Sequence, residues 1–413
     1  MSNTARWATH YTSLAAFLFG ALSLIIPTGY SLGAVLLLLG GVALLFLRPP
    51  LHLERKDYAV IAVMLAYSIV VIFMAWWGGE SSRAFDRPSR LMLAVPALLF
   101  VLAYPPRLAW LWSGFAVGAI GAGGWAAWQK LFVGVERAGG YTYVIQFGNL
   151  SMLLGILCLA AMGWALIQPR RTAWVVFLSV GALMGVIGSL MSGSRGGWVG
   201  LPFVFLVLYR SYGMYLDKRI KMALMAVIAV AVIGVYAVPQ TGVQHRVHDA
   251  FNDIALYIAG ESQETSLGAR FEMWKGASHL IADKPVFGWG QLGYQEGMAQ
   301  LADEGVINPG ILIYGHAHNE FIDAFAKRGI IGLAVLLLLY LVPMRLFGRY
   351  LRHADLNVRS VAVAGVLLSV AYIDFGFSQV FLSHNSGVMV FAFLLAIFWG
   401  IHSHQCRLMA HHE

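Results

Sequence analysis

Charge is what this sequence has least of. Only 12% of its 413 residues are charged, while 59% are hydrophobic, against roughly a quarter charged in an ordinary soluble domain. A single water-soluble core cannot absorb that excess. The cysteines, Cys158 in an apolar run and Cys406 near the end, are too few and too differently placed for a disulfide framework. There is no Gly-Lys-Ser/Thr phosphate loop and no dinucleotide fingerprint, so an energy-coupled or redox enzyme has no support, and no cofactor or nucleic-acid partner is expected. No repeat of fixed period and no low-complexity tract breaks the chain.

What the sequence does have is long apolar runs, almost back to back from Tyr11 to Ile401. Roughly twenty such residues cross a bilayer core about 30 Å thick, and in hydrocarbon only helices or closed barrels satisfy their own backbone. The pattern predicts an all-α polytopic membrane protein of about twelve transmembrane helices. These lie near 11–27, 30–47, 58–77, 91–104, 108–133, 149–167, 172–191, 197–212, 219–238, 326–346, 359–381 and 384–402. The first run leads directly into another with no small-residue cleavage site after it, so it is expected to be a retained helix and not a signal peptide.

Basic residues set the orientation. With the amino terminus in the cytoplasm, inner loops hold Arg48, Arg55, Lys56, Arg107, Arg170, Arg171, Lys218, Arg345, Arg349 and others, and with the tails account for sixteen of the 28 lysines and arginines. The short outer loops and adjoining helix ends keep only Arg83, Arg87, Arg90, Lys130, Arg137 and Arg195, as the positive-inside rule requires. An even number of spans returns the carboxyl terminus to the cytoplasm. The chain 1–413 then forms a single membrane domain with one large extracytoplasmic loop. That long segment runs from about Pro239 to Arg328, with 239–325 inserted as a subdomain between the ninth and tenth spans. Within it Arg270, Trp274, Ala277 and Ile281 recur at helical spacing on one face, and Pro285, Gly288 and Gly290 end that helix. A second helix is expected from near His318 into the tenth span.

The outer face carries two constellations with chemical content. Arg195 sits in Ser192-Gly193-Ser194-Arg195-Gly196-Gly197-Trp198, where glycines let the backbone approach a ligand and leave its amides free for an anion. Arg137 stands before Gly139 and Gly140, with Gln146 and Asn149 just beyond, and Arg270 sits on the amphipathic helix. Guanidinium groups converging at a membrane surface suit a phosphorylated or diphosphorylated lipid. The plainer alternative, arginines that anchor loops at the headgroups, fits Arg83, Arg87 and Arg90 better.

The second constellation is Tyr314-Gly315-His316-Ala317-His318-Asn319-Glu320, with Gly329 and Gly332 at the start of the next span. Histidine suits proton abstraction near neutral pH, and either ring could deprotonate a hydroxyl nucleophile or simply be hydrogen-bonded at a helix start. A metal has little support: His-x-His does not share a helix face, and Glu320 and Asp323 form no recognised ligand spacing. Asp374, inside the eleventh span, is a functional candidate or an arginine's partner. His402, His404, His411 and His412 are read as a cytoplasmic tail.

These residues resemble the bacterial O-antigen ligase family, within the superfamily that also holds O-antigen polymerases and protein O-oligosaccharyltransferases. The resemblance rests on Arg195 in its glycine turn, Arg270 followed by Trp274, then Pro285, Gly288 and Gly290, and His318-Asn319 with Gly329 and Gly332. It implies a GT-C-like, inverting, metal- and ATP-independent glycosyltransferase of lipopolysaccharide biosynthesis in the bacterial inner membrane, with a periplasmic active site. The donor would be undecaprenyl-diphosphate-linked O-antigen and the acceptor the lipid A-core oligosaccharide, both embedded among membrane lipids. On that template His318 would be the general base, and Arg195 and Arg270 would stabilise the diphosphate leaving group. Arg137, His316, Asn319, Trp274, Gln146 and Asn149 would contribute to substrate binding. A polymerase uses the same donor, a protein oligosaccharyltransferase usually carries a longer carboxyl-terminal region, and a lipid-linked glycan transporter would show two related halves, which this sequence does not.

Overall fold

The computed structural model describes residues 3–194, 196–237 and 243–410. Arg195, His411, His412 and the start of the long segment at 239 lie outside the described residues. Those described are helical, with no strand. The helices are α1 (Asn3–Leu22), α2 (Tyr30–Leu47), α3 (Arg55–Trp77), α4 (Arg83–Ala103), α5 (Leu108–Trp128), α6 (Val144–Ala160), α7 (Met162–Leu166) and α8 (Arg171–Ser192). They continue with α9 (Leu201–Ser211), α10 (Lys218–Ala237), α11 (Val243–Ile258), α12 (Ser266–Asp283), α13 (Gly290–Asp303), α14 (Glu320–Gly348), α15 (Leu356–Gly376) and α16 (Asn385–Ala410). A helix occupies each range that the hydropathy pattern singles out. Seven segments among the described residues are long and apolar enough to cross a membrane: α2, α3, α6 with α7, α8, α14, α15 and α16. The chain is a multi-pass membrane protein.

Three of these segments form the centre of the bundle. The apolar windows of α16, α6–α7 and α15 are 94%, 83% and 78% buried, whereas those of α2, α3, α8 and α14 are buried over only 28–39%. A helix apolar on every side is either fully enclosed or faces lipid on its outer side, and these shares separate the two cases. Around that centre α1 packs on α2 and α5, α5 on α8, α8 on α6, and α4 on both α3 and α16. Small residues allow the close crossings: the backbone of α6 at Gly155 meets that of α8 at Gly185, and a Cβ at either would strike the other helix. Close approach through small residues is how helices associate where lipid removes the hydrophobic drive between them.

At the end of the bundle that the charge pattern assigns to the cytoplasm, a buried carboxylate joins distant helices. Asp57, fully buried, accepts from Trp399 Nε1 at 2.9 Å and Ser403 Oγ at 2.6 Å, and from the Glu54 amide that opens α3 at 2.8 Å. This network carries α16 beyond the apolar run to Ala410. His402 and His404 are therefore part of a packed helix and not a tail, with His402 buried against Trp399 and Tyr350. Hydropathy alone ends the helix too early, because the polar residues there satisfy one another inside the protein.

The long segment contributes α11, α12 and α13, of which only α12 was marked by amphipathic spacing. Thr265 caps α12 by accepting from the Gly268 amide at 3.1 Å. Met273, Ala277, Leu280, Tyr294, Met298, Ile307, Ile311 and Ala326 make a hydrophobic cluster separate from that of the bundle. The two are joined where the chain after α12 crosses α14. Gly329, at φ 60° and ψ −164°, breaks α14, and the backbone groups freed there are taken up by the crossing chain. Ile330 donates to the Pro285 carbonyl at 2.8 Å and Trp289 to that of Ala326 at 3.0 Å. A Cβ on Gly329 would collide with the Val286 carbonyl, and one on Gly288 with the backbone at Lys327 and Arg328.

Gly329→Ala is expected to destabilise the protein by more than the roughly 1–3 kcal/mol of backbone strain alone. Thermal melting of detergent-purified protein checks this against Gly348→Ala, where a Cβ meets nothing; equal melting temperatures would show that the crossing tolerates a side chain.

Candidate functional site

The site is organised around residues 314–319, the turn that leads into α14. Asn319 ends it as an N-cap, its Oδ1 accepting from the amides of Phe321 and Ile322 at 3.0 and 3.1 Å. His318, immediately before the cap, has a φ of +48°, a left-handed conformation uncommon for a residue other than glycine and held only where the surroundings impose it. The surroundings are visible. Ala317 donates its amide to Asp323 Oδ1 at 3.1 Å and accepts at its carbonyl from Trp274 Nε1 at 2.9 Å. Gly315 accepts from Lys327 Nζ at 2.8 Å and from Gln291 Nε2 at 3.0 Å. Lys327 and Asp323 pair at 2.8 Å with side chains only 6% and 3% exposed. The backbone on both sides of His316 is thus tied to one buried ion pair.

The two histidine rings lie 4.2 Å apart between centroids, and Tyr314 stands edge-on to His318 at 5.2 Å. Their nitrogens have different neighbours. His316 Nδ1 accepts from the His318 amide at 3.2 Å, which puts the proton of a neutral His316 on Nε2 and makes that ring a donor. Gln379 hydrogen bonds the His318 ring, while His318 Nδ1 is buried and has no hydrogen-bond partner among the described residues. Burial pushes the His318 pKa down to about 4, helped by His316 and Arg270 and opposed by Gln379 and Asp323. Burial also lowers His316. Both rings are neutral near pH 7, the form a general base requires.

The other residues marked by the sequence divide into three groups. Trp274 and Arg270, one turn apart on α12, both reach the histidine turn, the first by its hydrogen bond and the second by its charge on His318. Gln146 and Asn149 are buried on α6, where Asn149 Oδ1 accepts from Ser194 Oγ at 2.9 Å. Asn149 Nδ2 and both amide atoms of Gln146 have no partner among the described residues. Arg137 donates from Nε to the Ser192 carbonyl at 2.9 Å and from a terminal nitrogen to that of Gly193 at 3.4 Å, closing the end of α8 beside the turn to which Arg195 belongs. Asp374 makes no ion pair among the described residues; it packs against Gly200, with Oδ1 unpartnered.

Gln379 links these groups, and sequence reasoning missed it. It follows Ser378, against which Gly196 packs, and its Oε1 accepts from the Val380 amide at 3.2 Å. The Asp323–Lys327 pair was also missed, although carboxylate and ammonium four apart at the start of an apolar helix is a legible spacing. Among the described residues no group of three or more His, Cys, Asp or Glu side chains converges in a form that could hold a metal. On its other side His316 lines a cavity of about 360 Å³ enclosed by α3, α4, the start of α13, α14 and the chain from Val380 to Val388.

Because His318 takes up its proton far below the ordinary histidine value of 6.5, the unfolded chain binds more protons than the folded one between those two values. Stability is expected to fall as pH drops from about 6.5 towards about 4. Melting temperatures across that range check it, with His318→Gln expected to reduce the slope; a variant with an unchanged profile would remove His318 as the source.

A family model described as O-antigen ligase matches residues 180–337, a stretch that contains the glycine turn, Arg270, Trp274, both histidines and Asn319. The chain is 30% identical to an uncharacterized protein of Haemophilus influenzae (strain Rd) over 380 residues, 92% of this chain and 95% of that one. It is 24% identical to an O-antigen ligase of Escherichia coli K12 over 216 residues, 51% of this chain and 48% of the relative. The histidine turn, the arginine helix and the glycine turn all lie inside the matched stretch, and over residues 180–337 the chain carries an O-antigen ligase family domain.

Proposed function

We propose that this protein transfers O-antigen polysaccharide from undecaprenyl diphosphate to a sugar hydroxyl of the lipid A-core oligosaccharide. The reaction takes place at the periplasmic face of the inner membrane, without metal or ATP. The observation that carries this reading is the difference between the two histidines. His316 has its acceptor nitrogen occupied by the His318 amide, whereas His318 is neutral, keeps Nδ1 unpartnered and stands beside the Arg270 charge. His318 is the base, and His316 donates.

In the step itself the His318 imidazole takes the proton of the acceptor hydroxyl, whose oxygen attacks the anomeric carbon of the donor sugar. The bond from that carbon to the diphosphate oxygen breaks, and its electron pair leaves with undecaprenyl diphosphate. Arg270, together with Arg195 from the glycine turn, stabilises charge as it develops on the leaving group, an electrostatic contribution of the oxyanion type. A single direct displacement inverts the configuration at the anomeric carbon. Gln146, Asn149 and Arg137 support the donor side around that turn, while Trp274 and Asn319 hold the base in place. The scaffold is a GT-C-like arrangement of twelve spans with both termini cytoplasmic and 239–325 periplasmic. In it the five helices α1, α4, α5, α9 and α10 cross the membrane alongside the seven most apolar segments.

Purified protein given lipid-linked glycan and lipopolysaccharide core, with chelator and no ATP, is expected to join them; no transfer would sink the ligase reading. His318→Ala and His318→Asn, the second chosen because asparagine tolerates the left-handed backbone, are expected to lose about 10²–10⁴-fold in rate with donor binding retained. Full activity in either removes His318 from the chemistry. In a deletion strain, core bearing a single repeat instead of bare core would indicate a polymerase.

A further inference from the structure

The cavity beside His316 has a charge arrangement that the donor chemistry does not use. Three carboxylates line it, and each already has partners in the protein. Glu80 accepts from the Gln291 amide at 3.3 Å, Glu320 from the Leu382 amide at 2.9 Å and the Tyr340 hydroxyl at 3.1 Å, and Asp323 from Ala317 and Lys327. The lysine in the wall, Lys327, is consumed by that last pair. Two guanidinium groups remain. Arg87 of α4 and Arg328 of α14 both line the cavity, and neither makes a hydrogen bond or ion pair among the described residues. Arg328 Nε is buried without a partner. Around them His384 has a buried, unpartnered Nε2, and its pKa is held at about 4, first by burial and then by the charges of His316 and Arg87. His316 presents a donor and no free acceptor.

A cavity whose carboxylates each hold a partner, and in which two guanidiniums make no hydrogen bond or ion pair among the described residues, suits an anion rich in acceptor oxygens. Paired guanidiniums match phosphate in particular. The neighbourhood of the cavity also differs from that of the proposed leaving group. Arg270, Trp274, Gln379 and Asn149 gather on the His318 side and do not line it, whereas His316 does. An enzyme that joins two glycans across one base needs a separate approach for each.

We infer that the cavity between α3, α4 and α14 is an acceptor subsite that binds a phosphoryl group carried by the acceptor sugar chain through Arg87 and Arg328, with His316 donating beside them. This rests on the transferase reading above, which gives the two approaches their roles. It assigns Arg87, which the sequence pattern alone fits as a headgroup anchor, a place in acceptor recognition.

The test uses full-length protein in nanodiscs, with binding and transfer measured on the same samples. The probes are a core glycolipid bearing sugar phosphates and the same glycolipid after phosphatase treatment. Wild-type protein is expected to bind the phosphorylated form about tenfold or more tightly. In Arg87→Ala and Arg328→Gln that preference is expected to shrink towards unity, with the KM for the lipid-linked donor within about twofold of wild type. Arg328→Lys, which keeps the charge, is expected to retain part of the preference and controls for folding. Transfer by a wild type that binds both glycolipids equally, or variants that keep the preference, would overturn the inference alone. A rise confined to the donor KM would reassign the arginines to the diphosphate and overturn it too. No transfer at all overturns the functional reading, and the acceptor assignment with it.

Discussion

One buried ion pair fixes the histidine turn of this protein in space. Asp323 and Lys327 lie one helical turn apart at the start of α14, almost fully buried, and each extends beyond its partner to the backbone of the histidine turn. Taking two such charges out of water costs several kcal/mol per ion before anything is recovered, and a buried pair is rarely a net source of stability. What it supplies here is position. The carboxylate holds the Ala317 amide and the ammonium holds the Gly315 carbonyl, so His316 and His318 cannot move without unpairing a buried charge, a loss of about 3–5 kcal/mol. The left-handed backbone of His318 is held under that constraint, with the Asn319 cap on one side and the Trp274 hydrogen bond on the other.

The same helix joins the membrane bundle to the smaller hydrophobic cluster of α12 and α13. In a continuous α14 the amides and carbonyls near Gly329 would be used within the helix. Because the helix breaks there, Pro285 and Trp289 bond to it instead, and the histidine turn, the arginine-bearing helix and the bundle share one rigid junction. Two glycines make the crossing possible, since a side chain on Gly288 or Gly329 would occupy the partner's backbone. Gly288, which the sequence marked as ending a helix, and Gly329, which it marked at the start of the next span, are the points where one part of the molecule passes through the space of another.

The gross architecture was legible because it depends on local patterns. Apolar runs located the helices, though α1, α4, α14 and α16 extend six to eight residues beyond them at one end, and the spacing of Arg270, Trp274, Ala277 and Ile281 marked α12 as a helix, of which Ala277 is fully buried and Trp274 is turned to the histidines. Asn319 and the histidines were visible as a helix start. What was not legible depends on distant partners. Gln379 is an unremarkable residue in sequence and acquires meaning only because the α15–α16 connection brings it to His318. Arg137 looked like a ligand for phosphate and is found engaged with carbonyls at the end of α8. Helix α13 lacks a clear apolar period, since its burial is confined to Tyr294, Gly297 and Met298. His402 looked like part of a tail because the carboxylate that anchors its helix, Asp57, lies near the other end of the chain.

Read as chemistry, the arrangement separates two tasks around a pair of neutral rings. One side holds the charge of Arg270 beside His318 and the unpartnered amides of Gln146 and Asn149, the side that the proposed reading gives to the departing diphosphate. The other opens into the cavity lined by Arg87 and Arg328, and the two histidine rings stand between them. On the proposed reading such a site performs one direct displacement. The most direct measurement is the anomeric configuration of the newly formed linkage, read by proton coupling in the purified product and compared with that of the lipid-linked donor. Inversion is expected; retention of the donor configuration would contradict a mechanism built on His318 as the only base.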